Sequence, residues 1–410
     1  MERTSYMLAV PAEEKELEEP ELLIKRISEM NGVQVIKAEL RDAEIAVELI
    51  YNDTLYCARL YPTEFELPQF FRMQHFFPDV DMDAVEKRHK GLSVALEFAG
   101  NALISYHLQI KMIDAMFSCG VLAVLDSSAE KILSGRWIAL AASSNVPPAP
   151  RYLFTVQAVC EEDGDDVWLH SHGLNRCGVT ELEVLGSTRD NYNAHYQVIE
   201  GMANRLLELE EPLQPKEPLF LARLSEEVIL VTTLLPWETA IRFYDEDILG
   251  GKEDRVDGHN ADTSCIFAYP SAEDLKQERM APLSIYDEIL EKNSIFMFSE
   301  SETARMKALA QERISYVKRV AGNKDIHILV KIGLNVDGDN PDGSQKEHIW
   351  FELKEISDLS IKAELTQEPY YIAGLHAGDI GEYPIDMITD WIIYEPKRRV
   401  TPDDVYLLEL

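Results

Sequence analysis

Basic residues are scarce in this chain. Lys and Arg number 39 in 410 residues against 73 Asp and Glu, a net charge of −34. A nucleic-acid binder draws most of its affinity from neutralising phosphates, so the deficit excludes that class of partner. Docking on an anionic membrane surface is excluded on the same ground. Cysteine is sparse too. Cys57, Cys119, Cys160, Cys177 and Cys265 are scattered, with no Cys-x-x-Cys among them. Such a set reads as reduced thiols, and so as a cytoplasmic protein. Long apolar runs are missing. The best candidate, Ala102 to Phe117, is broken by His107, Gln109, Lys111 and Asp114, short of the ~20 residues a bilayer span needs. The amino terminus soon turns acidic, from Glu13, and carries no signal-peptide pattern.

Familiar catalytic signatures are also lacking. No Gly-x-Ser-x-Gly, Walker loop, Gly-x-Gly-x-x-Gly or His-Glu-x-x-His occurs. Two Ser-x-x-Lys patterns, at Ser128 and Ser315, lack the partner motifs that would give them meaning. The acidic stretches from Asp79 and from Asp337 fail as calcium loops. Position six is Ala84 or Asp342 instead of Gly, and position twelve is Lys90 or His348 instead of Glu. Asp79–Asp83 reads instead as a helix start, and the Asp337 stretch as a hairpin connection. His107, on a buried helix face, reads as a satisfied core histidine. No cofactor is implied.

What is present is a regular alternation of short strands and amphipathic helices. With 46% apolar residues, the chain can bury a sizeable core. The periodicity predicts an α+β protein: several modules of antiparallel sheet with packed helices, ending in a small, mainly antiparallel sheet or barrel. The expected modules are 1–90, 91–211, 216–325 and 326–410, and the first two can form one domain. Breaks fall at Asn145–Pro150, which is rich in proline, and at Glu210–Lys216, which reads as a linker. Leu23, Ile27 and Met30 line an early helix. Asn101 caps a second helix, and Val198, Met202, Leu206 and Leu209 align a third. Helical segments are expected around 130–142. A long helix is expected near 300–321, opened by a Ser299…Glu302 capping box. The loop from Gly250 to Asp262 reads as mobile.

One constellation could carry chemistry. In an extended Trp168-Leu169-His170-Ser171-His172, both imidazoles share a face. They could ligate zinc with Cys177 and Glu181 (or Glu183) as further ligands, although the spacing matches no established zinc pattern. A metal-assisted hydrolase built on His170 and His172 is therefore one reading. A Cys177 nucleophile with either histidine as base is another in principle. Two ordinary histidines at a strand end is the plainer one.

The last region carries a further pattern. Glu347-His348-Ile349-Trp350-Phe351-Glu352, Glu368-Pro369-Tyr370-Tyr371, Gly378-Asp379 and Ile388-Thr389-Asp390-Trp391 resemble the YegJ-like bacterial domain of unknown function, over about residues 320–400. Trp168–Leu185 looks like a segment of related uncharacterised bacterial families found ahead of such a domain. The resemblance implies a bacterial source and transfers no catalytic residue. Its aromatic residues Trp350, Tyr370, Tyr371 and Trp391 suit either a core or a binding groove.

The reading that follows is a non-enzymatic, cytosolic protein-interaction protein. Every stretch is net acidic: −6 for 1–60, −3 for 61–150, −8 for 151–215, −7 for 216–325 and −10 for 326–410. A basic protein partner, as in an immunity-type pairing with a toxin, would gain on-rate and specificity from that charge. A small-molecule binding module is the remaining alternative.

Overall fold

A computed structural model describes residues 3–74, 77–209, 211–225, 228–255, 262–292, 300–338 and 345–408. The chain forms two compact units. One comprises residues 1–142 and 150–297, the other 143–149 and 298–410. The secondary structure is α+β, as the periodicity implies.

The first unit holds two sheets. In the first sheet are β1 (Thr4–Pro11), β2 (Val33–Arg41), β3 (Glu44–Tyr51), β4 (Thr54–Glu64), β5 (Lys90–Glu97), β6 (Val121–Asp126) and β7 (Lys131–Ser134). They run in the order β2-β3-β4-β5-β1-β6-β7, and every pair is antiparallel. Asn52 and Asp53 both take positive φ, 48° and 58°, between β3 and β4. Short polar side chains tolerate that conformation, which lets a tight hairpin follow the strand twist.

Against this sheet lies the helix Ala102–Met116, with nine buried residues. Asn101 caps it, its side chain accepting from the Ile104 amide at 3.2 Å. Gln109 Nε2 donates to the carbonyls of Ser5 and Val94 at 3.1 and 3.0 Å, tying the helix to β1 and β5. His107 Nε2 lies 2.9 Å from the Ala141 carbonyl oxygen, so it is a hydrogen-bonded core histidine. Asp81 caps the helix Met82–Glu86 by accepting from the Ala84 amide.

One expected helix is shortened. Residues 131–134 form β7, paired to β6 from Ala123↔Ser134 to Asp126↔Lys131, and only Gly135–Ser143 is helical. Strand pairing overrides local propensity here, with Glu130 turning the chain at a φ of 51°. A Cβ on Gly135 would stand 1.9 Å from the Val121 carbonyl oxygen, so only glycine lets the helix start this close to β6.

The second sheet contains β8 (Thr155–Cys160), β9 (Asp166–His172), β10 (Glu181–Thr188), β11 (Leu219–Arg223), β12 (Ile229–Pro236), β13 (Thr263–Ala268) and β14 (Ala281–Pro282). The order is β11-β12-β13-β10-β9-β8, with β14 on β13. β10 and β13 are parallel, and the other pairs are antiparallel. The segment read as a linker thus leads from the helix Tyr192–Glu208 into β11 of this sheet. Lys216 is held to that sheet, its amide donating to the Leu234 carbonyl and its own carbonyl accepting from Tyr269 Oη. The helix Tyr192–Glu208 buries Val198, Met202 and Leu206 as its spacing implies. Leu209 lies just past its end and is exposed.

The second unit is one open sheet of β15 (His327–Asn335), β16 (Lys346–Ile356), β17 (Ser360–Leu365), β18 (Ile380–Pro384), β19 (Ile388–Glu395) and β20 (Arg398–Val400). Its order is β18-β17-β16-β15-β19-β20, antiparallel throughout. It does not close into a barrel.

The single helix expected over 300–321 is two, Glu300–Glu312 and Ile314–Val320. Arg313 sits between them with its guanidinium on the Pro402 carbonyl at 2.6 Å. Ser299 of the expected capping box lies outside the described residues, as do 256–261 of the Gly250–Asp262 loop and 339–344 after Asp337. The proline-rich segment near 145 belongs to this unit. Glu312 accepts from Ser144 Oγ at 2.6 Å and from the Asn145 amide at 2.9 Å.

Candidate functional site

The histidine strand is as extended as expected. His170 and His172 lie on β9, buried, with ring centroids 4.9 Å apart. The Trp168 ring lies tilted against His170, centroids 4.3 Å apart. His172 Nε2 is 3.7 Å from Glu130 Oε2. The further ligands do not converge on them.

Glu181 accepts from Ser171 Oγ at 2.5 Å and from the amides of Gly173 and Asn175 at 2.8 and 3.0 Å. Its carboxylate braces the β9–β10 connection. Burial raises its pKa, against the pull of those donors. Cys177 is buried, and its thiol is pushed up to about 12 by desolvation. Such a group is no nucleophile at neutral pH. Among the described residues, no three His, Cys, Asp or Glu side chains come together as a metal-binding group.

Glu183, paired opposite His170, is spent differently. Arg255 grips it in two-pronged fashion, Nη1 to Oε1 at 2.9 Å and Nη2 to Oε2 at 2.5 Å. Trp168 Nε1 and Thr263 Oγ1 donate to the same carboxylate. The Arg255 guanidinium lies over the rings of Trp237 and Trp168, at 4.2 and 5.3 Å. Gly250 sits against Trp168 with no space for a Cβ, which would come within 2.7 Å of the indole. The constellation secures the chain around residues 250–255 to β10.

A serine–histidine–aspartate arrangement forms from residues that no sequence motif links. His195 Nδ1 lies 2.8 Å from Ser187 Oγ, and Nε2 lies 2.9 Å from Asp287 Oδ1. Asn191 Nδ2 donates to the other Asp287 oxygen at 2.7 Å. The carboxylate can only accept, so Nε2 donates to it when it carries a hydrogen, and Nδ1 and the serine hydroxyl share the other hydrogen bond. Ser187 is 1% exposed and His195 fully buried. A substrate carbonyl needs room beside the nucleophile, and this serine lies inside the sheet. The trio is a clamp, buried at Ser187 and His195 and partly exposed at Asp287, that joins β10, the helix Tyr192–Glu208 and the short helix Asp287–Lys292.

The aromatic residues of the second unit separate into core and surface. Trp391 is fully buried, and its indole donates to the Ala310 carbonyl at 3.0 Å. It is therefore a core residue and is removed from the candidate binding surface. Trp350 is half-buried with Lys331 Nζ 5.4 Å from its ring. Tyr370 and Tyr371 are 82% and 39% exposed, with centroids 6.3 Å apart.

The loop 366–379 that presents these tyrosines is held by carboxylates on backbone amides. Glu347 accepts from two consecutive amides, Tyr370 at 2.8 Å and Tyr371 at 2.9 Å. Asp337 accepts from Ala373 at 2.9 Å. Glu368 accepts from Ala377 at 3.1 Å, and Asp379 from His376 at 2.8 Å. Thr366, at the loop's start, donates both its amide and its hydroxyl to the Trp350 carbonyl. The loop is thereby fastened to β16 at residues 347 and 350.

Three family models match the chain. Residues 5–148 and 156–267 match the N-terminal and C-terminal models described as "Protein of unknown function (DUF4026)". Residues 301–401 match "Uncharacterized protein conserved in bacteria (DUF2314)", a match that spans the patterned residues 347–391 and does not carry the YegJ name. The chain is thus similar, part by part, to domains whose function is not established. No curated protein and no solved structure matches it. No helix among the described residues is long and apolar enough to cross a membrane.

Proposed function

We propose that the protein is a non-enzymatic binding module whose second unit engages a protein partner through Tyr370 and Tyr371. One observation carries this reading. A solvent-facing tyrosine pair sits on a loop whose amides are fixed by Glu347. Tyrosine supplies large contact area with few rotatable bonds, which favours it at interfaces. A loop fixed beforehand loses less entropy on binding, so more of the contact energy remains as affinity. Acidity throughout the chain favours a basic protein, for which an immunity-type pairing is the specific form.

The test is retention of partner proteins from source lysate at low salt, by the native chain and by the Tyr370→Ala/Tyr371→Ala variant. Both positions are surface-borne, so thermal unfolding should not move. The reading expects a specific basic protein on the native chain and about tenfold less on the variant, a loss of roughly 1.4 kcal/mol. Equal retention by both chains would remove the tyrosines from the function.

A further inference from the structure

The second sheet ends on β8, paired on one side to β9 from Thr155↔His172 to Cys160↔Val167. Alternate residues of an edge strand direct their N–H and C=O groups outward, a ready template for another strand. The far half of β8 is open to solvent: Ala158, Val159 and Cys160 are exposed, Val159 by 38%.

The turn that follows carries five carboxylates in six residues, Glu161, Glu162, Asp163, Asp165 and Asp166, all exposed. Arg189 holds this turn through main-chain oxygens and, with Nη2, the Cys160 sulfur at 3.6 Å. Nε donates to the Gly164 carbonyl at 2.6 Å, and Nη2 to those of Glu161 and Glu162 at 2.7 and 3.1 Å. The guanidinium sets the shape of the turn, and the carboxylates point their charge at solvent.

We infer that β8 and its acidic turn form a docking edge for an extended, basic segment of another protein. The incoming strand pairs with the outward main-chain groups of β8, and its Lys or Arg side chains reach the turn's carboxylates. Charge selects the occupant. A second copy of this chain brings another −34 and another such turn, so self-pairing through this edge is opposed. An acidic or neutral strand gains nothing from the turn. The edge lies in the first unit, so it stands or falls apart from the tyrosine loop of the second.

The test uses the full chain and two synthetic peptides, one alternating Lys and Val and one alternating Glu and Val. Binding is followed by titration and by hydrogen exchange of the β8 amides. At about 50 mM salt the Lys-Val peptide should bind and slow exchange at Thr155–Cys160, while the Glu-Val peptide should not bind. Raising salt to about 500 mM should weaken binding by at least about tenfold. The Glu161→Gln/Glu162→Gln/Asp163→Asn variant changes only exposed side chains, and it should lose about tenfold in affinity at low salt. Val159→Pro, which removes an edge donor or distorts the strand, should abolish the slowed exchange. The inference is overturned if the Lys-Val peptide fails to bind, if it leaves β8 exchange unchanged, or if the Glu-Val peptide binds as well.

Discussion

Arg176 and Asp126 meet as a two-pronged pair, Nη1 to Oδ1 at 2.8 Å and Nη2 to Oδ2 at 2.9 Å, with both side chains closed to solvent. Arg176 lies in the turn between β9 and β10, and Asp126 ends β6, so the pair joins the two sheets of the first unit. The same guanidinium donates to Ser5 Oγ on β1 and to the Leu153 carbonyl. It also lies 5.1 Å from the centroid of the Tyr106 ring. Desolvation opposes its charge, but Asp126 overcomes this and holds its pKa above the ordinary arginine value.

Breaking that pair leaves a buried charge alone. Arg176→Met should therefore destabilise the chain by about 3–5 kcal/mol. Arg176→Met with Asp126→Leu should recover much of the loss, because neither charge of the pair then remains to be desolvated. Urea unfolding of the two variants checks this, and equal losses would show the pair to be incidental.

Lys131 lies nearby, buried, with Nζ donating to the Phe154 carbonyl at 2.9 Å and the Arg151 carbonyl at 3.3 Å. Burial pulls its pKa down from 10.5 to about 7, although Asp126 raises it. The folded chain then binds fewer protons than the unfolded chain between about pH 7 and pH 10.5. This lysine's contribution to stability is present in full above the unfolded value and is lost as pH falls through about 7. Native-state NMR of the Lys131 side chain should show a titration midpoint near 7. A midpoint near the ordinary lysine value would contradict it.

The five thiols should divide. Cys57, Cys119 and Cys160 are exposed, and Cys177 and Cys265 are buried. Desolvation pushes Cys177 up to about 12 and Cys265 well above the ordinary thiol value. Iodoacetamide at neutral pH should label the first three in the folded chain and all five only in denaturant, as read by peptide mass spectrometry. Labelling of folded Cys177 would revive it as a nucleophile.

Much of the fold was legible because its signals are local. Asn101 caps its helix through its own side chain, Leu23 and Ile27 fall on one helical stripe, and Val198, Met202 and Leu206 fall on another. What stayed hidden depends on pairings distant in sequence. β7 is a strand because β6 offers it a ladder, a fact absent from Lys131–Ser134 alone. Ser187, His195 and Asp287 meet across 92 residues between the histidine and the aspartate. Glu183 and Arg255 are 72 apart. The histidine pair was visible by its alternation. Its lack of converging ligands was not, because Glu181 turns to its own connecting loop. Among the aromatic residues, the pattern alone could not separate buried Trp391 from exposed Tyr370, since both follow short polar stretches.

Glu347 offers a test of loop fixation apart from contact. Glu347→Gln keeps the shape but weakens charge-assisted bonds to two amides, each worth about 1.5–3 kcal/mol at most. Affinity for the partner should fall several-fold while the melting temperature hardly moves. Unchanged affinity would mean that fixing the loop does not matter to binding.

The most direct measurement places a photo-crosslinking phenylalanine analogue at Tyr370 in the full chain, inside source cells. The same analogue at Leu359 serves as control, a residue 84% exposed in the same unit. A discrete protein adduct should form from position 370 and be absent from position 359. No adduct at 370, or the same adducts from both positions, would contradict a partner at the tyrosine loop.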